Sequence, residues 1–277
     1  MLYFLLWIAA GAASVGICLW QGAFENFTWL WLLPVSAVGA MVVLTLLAFA
    51  FLGICCATVR LNAPQKDSAF FRRLTHIYID LVMRLFRVRV QAEGLELLPE
   101  EPFFLACNHL SDTDPALILH ALRDKKLAFL SKKENYRKPI VAQIMHKLSC
   151  QSLNRENDRE ALLTILRCSA LISEQGLNVA AFPEGHVSKD HKLHSFHHGV
   201  FKIAQKAKAA TVVCVLQGSE KIFSNLLKFR GTTVKLRILQ VIGPERWKGS
   251  TAVQISQQAY EAIAQALGRE NVCAENT

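Results

Sequence analysis

Charged residues are missing from two long stretches of this 277-residue chain, residues 2–20 and residues 26–59. Eight cysteines are present but form no C-x-x-C pair, which argues against a disulfide framework or a zinc ribbon and favours a reducing compartment. The chain also lacks a G-x-S-x-G nucleophile elbow and any recognised nucleic-acid motif. These absences argue against a wholly soluble protein, a disulfide-rich secreted domain and a serine hydrolase of the elbow type.

The uncharged stretches have the length and composition of membrane segments. Residues 2–20 are long enough to cross a bilayer, and residues 27–59, interrupted by Pro34, exceed its roughly 30 Å hydrocarbon core. A cleaved signal peptide is the alternative for the first stretch, because small residues occur at 9–14, but no Lys or Arg precedes it. We therefore predict that residues 1–60 form a membrane anchor of two apolar helices.

Basic residues begin after the second stretch and indicate which side of the membrane carries the rest of the chain. Seven Lys and Arg residues occur from Arg60 to Arg89, so the positive-inside rule predicts a cell-membrane protein with its main domain on the cytoplasmic face. Residues 61–90 mix these charges with apolar residues, which predicts a basic amphipathic helix at the membrane surface. An ordinary helix packed on the domain is the alternative. The net charge of +9 favours anionic lipid over nucleic acid as a partner.

Residues 91–277 alternate between short apolar runs and amphipathic segments, the pattern of an α/β domain. Strands are predicted at residues 103–107, 127–130, 150–153, 177–182, 211–216 and 233–241. Helices are predicted at residues 115–122, 138–148, 158–174, 199–209 and 251–267. We therefore expect a mainly parallel sheet flanked by helices, with a ligand site at the carboxyl ends of the strands.

His109 and Asp114 lie on the turn after the predicted strand at residues 103–107. A histidine with a carboxylate partner can take a proton from a hydroxyl, while the carboxylate orients the ring and stabilises its cation. Asp114 directly precedes Pro115, so a helix N-cap is the competing interpretation of its role.

Three further stretches follow or form predicted strands and are expected to face the same cleft. Arg155 can bind a phosphate with its planar guanidinium, and Gly185, directly after Glu184, lets the backbone approach a ligand closely. The apolar run 212–215 completes the set. Five histidines between residues 186 and 198 form a second cluster, for which a polar loop is favoured over a metal site because no cysteine or carboxylate completes a convincing ligand set.

These stretches resemble, in order, four motif blocks of the glycerolipid acyltransferases, specifically the 1-acyl-sn-glycerol-3-phosphate (lysophosphatidate) acyltransferase group. The N-H-x-S-x-x-D block, or HX4D motif, is complete at residues 108–114, and the family's arginine after an apolar strand matches Arg155. The F-P-E-G-T-R-S block reads F-P-E-G-H-V-S at residues 182–188, and V-P-V reads V-C-V at residues 213–215. The resemblance covers residues 75–245.

The resemblance implies transfer of a fatty acyl group from acyl-CoA or acyl-acyl carrier protein to the sn-2 hydroxyl of 1-acyl-glycerol-3-phosphate. The product is phosphatidate for phospholipid synthesis, and no cofactor or metal is implied. His109 is expected to be the catalytic base and Asp114 its partner, with backbone N–H groups near Gly185 stabilising the tetrahedral oxyanion. The partners implied are the acyl donor, a lysophospholipid acceptor and membrane lipids. The implied substrate-binding residues are Lys132, Arg155, Glu184, Gly185 and His186.

One departure from the family bears on the acceptor. The family's Thr-Arg is His186-Val187 here, and in the family that arginine helps to hold the acceptor's phosphate. Another lysophospholipid or lipid is therefore an alternative acceptor, and a non-catalytic membrane-bound lipid-binding protein is the alternative from another class. The intact N-H-x-S-x-x-D block argues against the binding protein. The candidates to replace the arginine are Lys132, Arg155, Lys189 and Lys192.

Overall fold

A seven-stranded sheet forms the centre of the protein. The computed structural model describes residues 1–154 and 157–273. Within this part of the chain the strands are β1 (Val88–Glu93), β2 (Phe104–Cys107), β3 (Leu127–Lys132), β4 (Gln151–Leu153), β5 (Asn178–Ala181), β6 (Thr211–Gln217) and β7 (Thr232–Ile242). They lie in the order β1-β7-β6-β2-β5-β3-β4, and each neighbouring pair is parallel except β6 and β7. The predicted mainly parallel sheet is confirmed.

Helices precede the sheet and connect its strands. The three that precede it are α1 (Leu2–Trp20), α2 (Trp29–Ala57) and α3 (Ala69–Leu85). The others are α4 (Asp114–Ala121), α5 (Val141–Lys147), α6 (Asp158–Ser173), α7 (Lys202–Ala207), α8 (Ile222–Leu227) and α9 (Ala252–Leu267). Because most strands are followed by a helix before the next strand, the helices cover both faces of the sheet.

Alternate residues of the central strands face two separate apolar layers. In β2, Phe104 and Ala106 belong to the layer that contains side chains of α6, α7 and α9. Leu105 and Cys107 belong to the layer that contains side chains of α3, α4 and the first two helices. Since both faces are covered, β2 is a continuous apolar run rather than an alternating one.

The first two helices pack against each other as a hairpin. The buried Ser14 hydroxyl donates to the Leu33 carbonyl at 2.7 Å, and its Oγ lies 2.6 Å from Ser36 Oγ. Both helices are long and apolar enough to cross a membrane by length and composition. Pro34 lies inside α2, whose 29 residues are about 43 Å long and therefore exceed a roughly 30 Å hydrocarbon core.

The apolar face of α3 packs onto the rest of the protein. Phe71 and Leu74 are buried, and the Tyr78 hydroxyl donates to the Ala48 carbonyl of α2. Phe70, by contrast, is exposed. This packing matches the alternative of a helix docked on the domain, while its location at a membrane surface stays a prediction.

Two elements, β1 and α8, were not predicted from the sequence. β1 begins at Val88 and pairs with β7 at one side of the sheet, so the predicted domain boundary between residues 90 and 91 falls inside a strand. α8 is a short helix of six residues in the connection from β6 to β7.

Candidate active site

The chain leaves the sheet at the carboxyl end of β2, where the side chain of Asn108 takes over the pairing with β6. Its Nδ2 donates to the Leu216 carbonyl at 3.0 Å, and the Leu216 N–H donates to its Oδ1 at 2.8 Å. The amide is 1% exposed, so water does not compete for these bonds. The backbone can therefore turn out of the sheet at His109 without leaving buried groups of β6 unpaired.

His109 and Asp114 meet directly after this turn. His109 Nδ1 lies 2.9 Å from Asp114 Oδ2, and the His109 side chain is 15% exposed whereas the carboxylate is fully buried. Because a carboxylate only accepts hydrogen bonds, this contact assigns the proton of the neutral ring to Nδ1 and leaves a lone pair on Nε2. The arrangement can accept a proton from a hydroxyl group.

Asp114 is bonded to the loop before it, not to the helix after it. It is the first residue of α4, whose N-cap is Thr113 without a capping side-chain bond. Asp114 Oδ2 accepts from the N–H of Leu110 at 2.7 Å and of Ser111 at 2.8 Å. The competing N-cap interpretation of Asp114 is therefore wrong. These two bonds fold the loop around the carboxylate and fix it beside the imidazole.

The loop after β5 holds His109 from the other side. The Phe182 ring stacks on the imidazole with centroids 4.0 Å apart and planes 14° from parallel. The His109 N–H donates to Glu184 Oε1 at 2.7 Å, and the Ser188 N–H donates to the His109 carbonyl at 2.9 Å. Ring and backbone of His109 are thus both positioned by residues of the F-P-E-G-H-V-S segment.

Glu184 joins two loops through its carboxylate. Its second oxygen accepts from the His194 N–H at 2.9 Å, and the residue is 1% exposed. Burial raises the pKa of Glu184 to about 7, although the backbone N–H groups of His194 and His109 act in the opposite direction. Since each oxygen accepts from the backbone, the observed role of Glu184 is to position the loops. Its predicted contact with substrate stays a prediction.

Gly185 occupies a turn that needs positive φ. Its φ is +77°, and its N–H donates to the Phe182 carbonyl at 3.0 Å. A glycine adopts this conformation without strain. The N–H of Gly185 itself is therefore engaged within the turn, and stabilisation of an oxyanion by backbone N–H groups near Gly185 stays a prediction.

The remaining predicted residues lie at or after the carboxyl ends of other strands of the sheet. Lys132 ends β3 and is exposed, and His186 is an exposed residue whose ring centroid is 5.1 Å from that of His194. Because β2, β3 and β5 are parallel, the segments that follow them lie at one edge of the sheet. Arg155 lies outside the described residues.

The histidine-rich segment forms a polar loop. His194 Nε2 lies 2.9 Å from Asp190 Oδ1, to which the Ser188 hydroxyl also donates. The hydrogen bond from His194, followed by that from Ser188, holds the pKa of Asp190 well below its usual range. In the part of the chain that the structure describes, no group of three His, Cys, Asp or Glu residues is arranged to hold a metal ion.

The residues that hold His109 in place were not predicted from the sequence. Asn108, Phe182 and Ser188 all belong to the motif blocks, so membership in those blocks was the available signal. The His194 N–H carries no such signal, because its contact with Glu184 depends only on how the loop folds.

The comparisons with known proteins agree with this geometry. A model of the acyltransferase family matches residues 89–217. A chloroplastic 1-acyl-sn-glycerol-3-phosphate acyltransferase of Arabidopsis thaliana is 32% identical over 158 residues, which are 55% of this chain and 44% of that protein. A 1-acyl-sn-glycerol-3-phosphate acyltransferase of Chlamydomonas reinhardtii is 30% identical over 176 residues, 63% of this chain and 51% of the relative. The chain thus spans about half the length of these curated relatives.

A solved structure supports the fold. The crystal structure of a 1-acyl-sn-glycerophosphate acyltransferase from Thermotoga maritima superposes with a TM-score of 0.59 at 23% identity, over 79% of this chain and 86% of that one. The resemblance predicted from four motif blocks is confirmed by these matches. The segment from residue 89 to residue 217, which carries the His109–Asp114 pair, matches the acyltransferase family.

Proposed function

We propose that this protein is a membrane-anchored 1-acyl-sn-glycerol-3-phosphate acyltransferase that makes phosphatidate from a fatty acyl thioester. The observation that carries the proposal is the His109–Asp114 pair, with its buried carboxylate, at the carboxyl edge of an acyltransferase-family sheet. The names of the curated relatives supply the acceptor, 1-acyl-sn-glycerol-3-phosphate.

In this mechanism His109 Nε2 takes the proton of the sn-2 hydroxyl as its oxygen attacks the thioester carbonyl carbon. The new C–O bond gives a tetrahedral intermediate, which collapses with cleavage of the C–S bond. The leaving sulfur receives the proton from His109. Asp114 keeps Nδ1 protonated and stabilises the imidazolium between the two transfers.

Transfer is direct, without an acyl-enzyme. Cys107 is fully buried, and burial, followed by its contact with Cys214, raises its pKa well above the ordinary range. Ser111 Oγ lies 2.9 Å from Thr113 Oγ1, on a residue that is itself buried. These surroundings leave the cysteine without thiolate character and the serine with a hydroxyl partner instead of a base.

The phosphate of the acceptor is held by basic residues around the cleft. Lys132 is exposed at the end of β3, and Lys189 is exposed in the loop that follows β5. We assign the phosphate to these lysines together with Arg155, whose guanidinium suits a bidentate contact. His186, in place of the family's threonine, contacts the same head group.

The hairpin of α1 and α2 holds the enzyme in the cell membrane, with the catalytic domain on the cytoplasmic face. Its two helices meet the length and composition required of membrane spans, and basic residues begin at Arg60 directly after it. Such an anchor suits an enzyme with one water-borne and one bilayer-held substrate.

The test is release of free thiol by the purified protein with acyl-CoA or acyl-acyl carrier protein and a panel of acceptors. The panel contains lysophosphatidate, lysophosphatidylglycerol, glycerol-3-phosphate and no acceptor. His109→Ala is expected to abolish release. His120→Ala is the matched control, because His120 Nδ1 also lies 2.9 Å from a carboxylate, that of Asp80, but at the partly exposed end of α4.

Each acceptor result has a distinct meaning. Release with lysophosphatidate alone supports the proposal. Release with a different acceptor favours a second function, acylation of another lysophospholipid, which the replacement of Thr-Arg by His186-Val187 already favours. If neither donor releases thiol with any acceptor, both acyltransferase functions are contradicted. Lipid binding without catalysis would then be the remaining function.

A further inference from the structure

An apolar and basic surface segment lies at the same edge of the sheet as His109. This segment, which we call the α8 patch, runs from Lys221 to Arg230. Ile222 faces the core, but three large apolar side chains of the patch are exposed: Phe223 is 53%, Leu227 83% and Phe229 87% exposed. Exposed apolar side chains of this size, clustered in one short segment, mark an interaction surface.

Hydrogen bonds hold the α8 patch in its exposed form. Phe229 has a φ of +55°, in the left-handed region that bulky residues rarely adopt. Arg87 Nη1 donates to the Phe229 carbonyl at 3.0 Å, and the Arg230 N–H donates to the Asn225 carbonyl at 2.8 Å. The turn is thus fixed from both sides, and its exposed rings belong to a defined conformation.

The exposed charge around these rings is positive, although the little-exposed carboxylate of Glu220 lies 3.8 Å from Lys221 Nζ. Lys221, Lys228 and Arg230 are exposed within the α8 patch, and the neighbouring Arg87 is exposed as well. The sequence from residue 221 to residue 244 contains no Asp or Glu. Apolar side chains ringed by basic ones are complementary to a bilayer surface with anionic head groups.

The α8 patch and the loop that carries His109 lie at the same edge of the sheet. The patch follows β6, which is parallel to β2, so both strands end at this edge. The Asn108 side chain binds Leu216 near the end of β6. A bilayer in contact with the α8 patch therefore faces the edge of the sheet from which His109 projects.

The surface is continuous with the helical hairpin. The Phe223 ring packs against Phe86 with centroids 6.3 Å apart, directly after α3. Two residues earlier, in α3, the Arg84 guanidinium lies 4.7 Å from the ring centroid of Phe4 in α1. A strip of apolar and basic side chains thus connects the base of α1 to the α8 patch.

We propose that the α8 patch inserts into the anionic phospholipid leaflet that holds the hairpin and keeps the catalytic edge against the bilayer. The hairpin then supplies the attachment and the α8 patch supplies the orientation of the domain. The proposal concerns lipid contact alone and does not depend on any acyl transfer.

The test places an environment-sensitive fluorophore on Leu227→Cys in the full chain, reconstituted into phosphatidylcholine–phosphatidylglycerol vesicles. Leu227 is largely exposed, so its replacement leaves the core intact. Cys55 and Cys273 are first changed to serine, because the other six cysteines are buried. Quenching by a phospholipid with a nitroxide near its head group reports contact with the leaflet.

Val253→Cys is the matched control. Val253 is an apolar side chain that is 55% exposed at the start of α9. It follows the end of β7, and because β7 is antiparallel to β6 this end lies at the opposite edge of the sheet. The lipid quencher is expected to act on the probe at 227 and to leave the probe at 253 unaffected.

Charge gives a second measurement. Lys228→Gln and Arg230→Gln are each expected to lower the ratio of inserted to free patch about fivefold in anionic vesicles. In pure phosphatidylcholine vesicles the same substitutions should change this ratio little. Equal quenching at 227 and 253 would overturn the proposal. So would a probe at 227 that responds only to added acyl carrier protein or to a higher protein-to-lipid ratio, since the occupant would then be a protein.

Discussion

At the scale of single residues, the site is built to hold one imidazole in place. Asp114 binds its Nδ1, Phe182 covers its face, and Glu184 and Ser188 bind its backbone. Such support keeps a catalytic base within the narrow range of positions that proton transfer requires. It also separates the roles, because only His109 presents a free ring nitrogen in this set.

Asp114→Asn is expected to lower kcat roughly 100- to 10,000-fold while the fold is retained. The amide keeps an oxygen for the N–H groups of Leu110 and Ser111, but it no longer fixes the tautomer of His109 or stabilises its cation. Steady-state kinetics together with thermal unfolding measure the two effects separately. Asp80→Asn is the control, since it alters the His120–Asp80 pair away from the site, and its activity should equal that of the unmodified protein. Near-normal turnover of Asp114→Asn would rule out the proposed role.

Glu184 predicts a pH dependence of stability. Its pKa is raised from 4.5 to about 7 by burial, so between these values the folded state holds a proton that the unfolded state has released. The contribution of this group to the free energy of unfolding therefore falls as the pH rises from 4.5 to 7, by roughly 3 kcal/mol in total.

Glu184→Gln removes this titration and should also lower stability at every pH, because an amide has one oxygen for two N–H donors. The measurement is urea unfolding at a series of pH values from 4.5 to 8. The stability advantage of the unmodified protein over the variant should shrink with rising pH. Two parallel curves would show that Glu184 does not titrate in this window.

The sequence predicted the contact between His109 and Asp114 better than the contacts around it. His109 and Asp114 are five residues apart on one turn, so their meeting depends only on local structure. The contact between His109 and Glu184 joins residues 75 positions apart and requires β2 and β5 to be neighbours. The sequence placed Glu184 in the cleft but did not show that its oxygens are occupied by backbone N–H groups.

At the scale of secondary-structure elements, β2 is short because Asn108 continues its pairing with a side chain. The two bonds to Leu216 keep β6 and β2 together at the point where the backbone departs. The first residue of the N-H-x-S-x-x-D block is therefore structural, and its histidine can stand at the very end of the strand.

Asn108→Ala is expected to lower the free energy of unfolding by about 2–4 kcal/mol, because it leaves the buried N–H and carbonyl of Leu216 without partners. Asn225→Ala is the control, since it removes one half-buried bond to Thr232 Oγ1 and should cost about 1 kcal/mol or less. Chemical unfolding of the two variants makes the comparison. Equal losses would mean that Asn108 does not stabilise the end of β2.

The elements that the sequence predicted are those with strong apolar runs, such as β2, β5 and β6. β1 was missed because polar residues, two of them charged, alternate with apolar ones along it, and this pattern merged with the basic stretch before it. α8 was missed because it is short and only Ile222 of its apolar side chains is buried, while Phe223 and Leu227 are exposed. Both failures occur where side chains face solvent and the hydrophobic pattern no longer reports burial.

At the scale of the whole molecule, the hairpin is part of the folded domain. Leu6 and Ala10 of α1 and Leu52 of α2 share one buried cluster with residues of α3 and of the sheet. Composition alone predicted a membrane anchor, but it did not predict that the hairpin covers the apolar face of α3.

Removal of residues 1–60 is therefore expected to destabilise the domain as well as release it. Uncovering side chains such as Tyr78 should cost about 3 kcal/mol, or on the order of 10 °C in Tm for a domain of this size. Thermal unfolding in mild detergent compares the shortened and full chains. Tyr78→Phe in the full chain, which removes only the hydrogen bond to Ala48, should lose much less. Equal Tm values for the two chains would show that the hairpin is an attachment only.

The pairing of β1 with β7 has a consequence for the order in which the protein is made. Val88 pairs with Thr232, so β1, the first strand of the sheet, can pair only after β7, the last strand, has been synthesised. During synthesis the hairpin is complete and β1 is already exposed as an unpaired edge while most of the domain is still absent. A nascent chain in this state depends on rapid completion or on a protective partner, because unpaired strand edges aggregate.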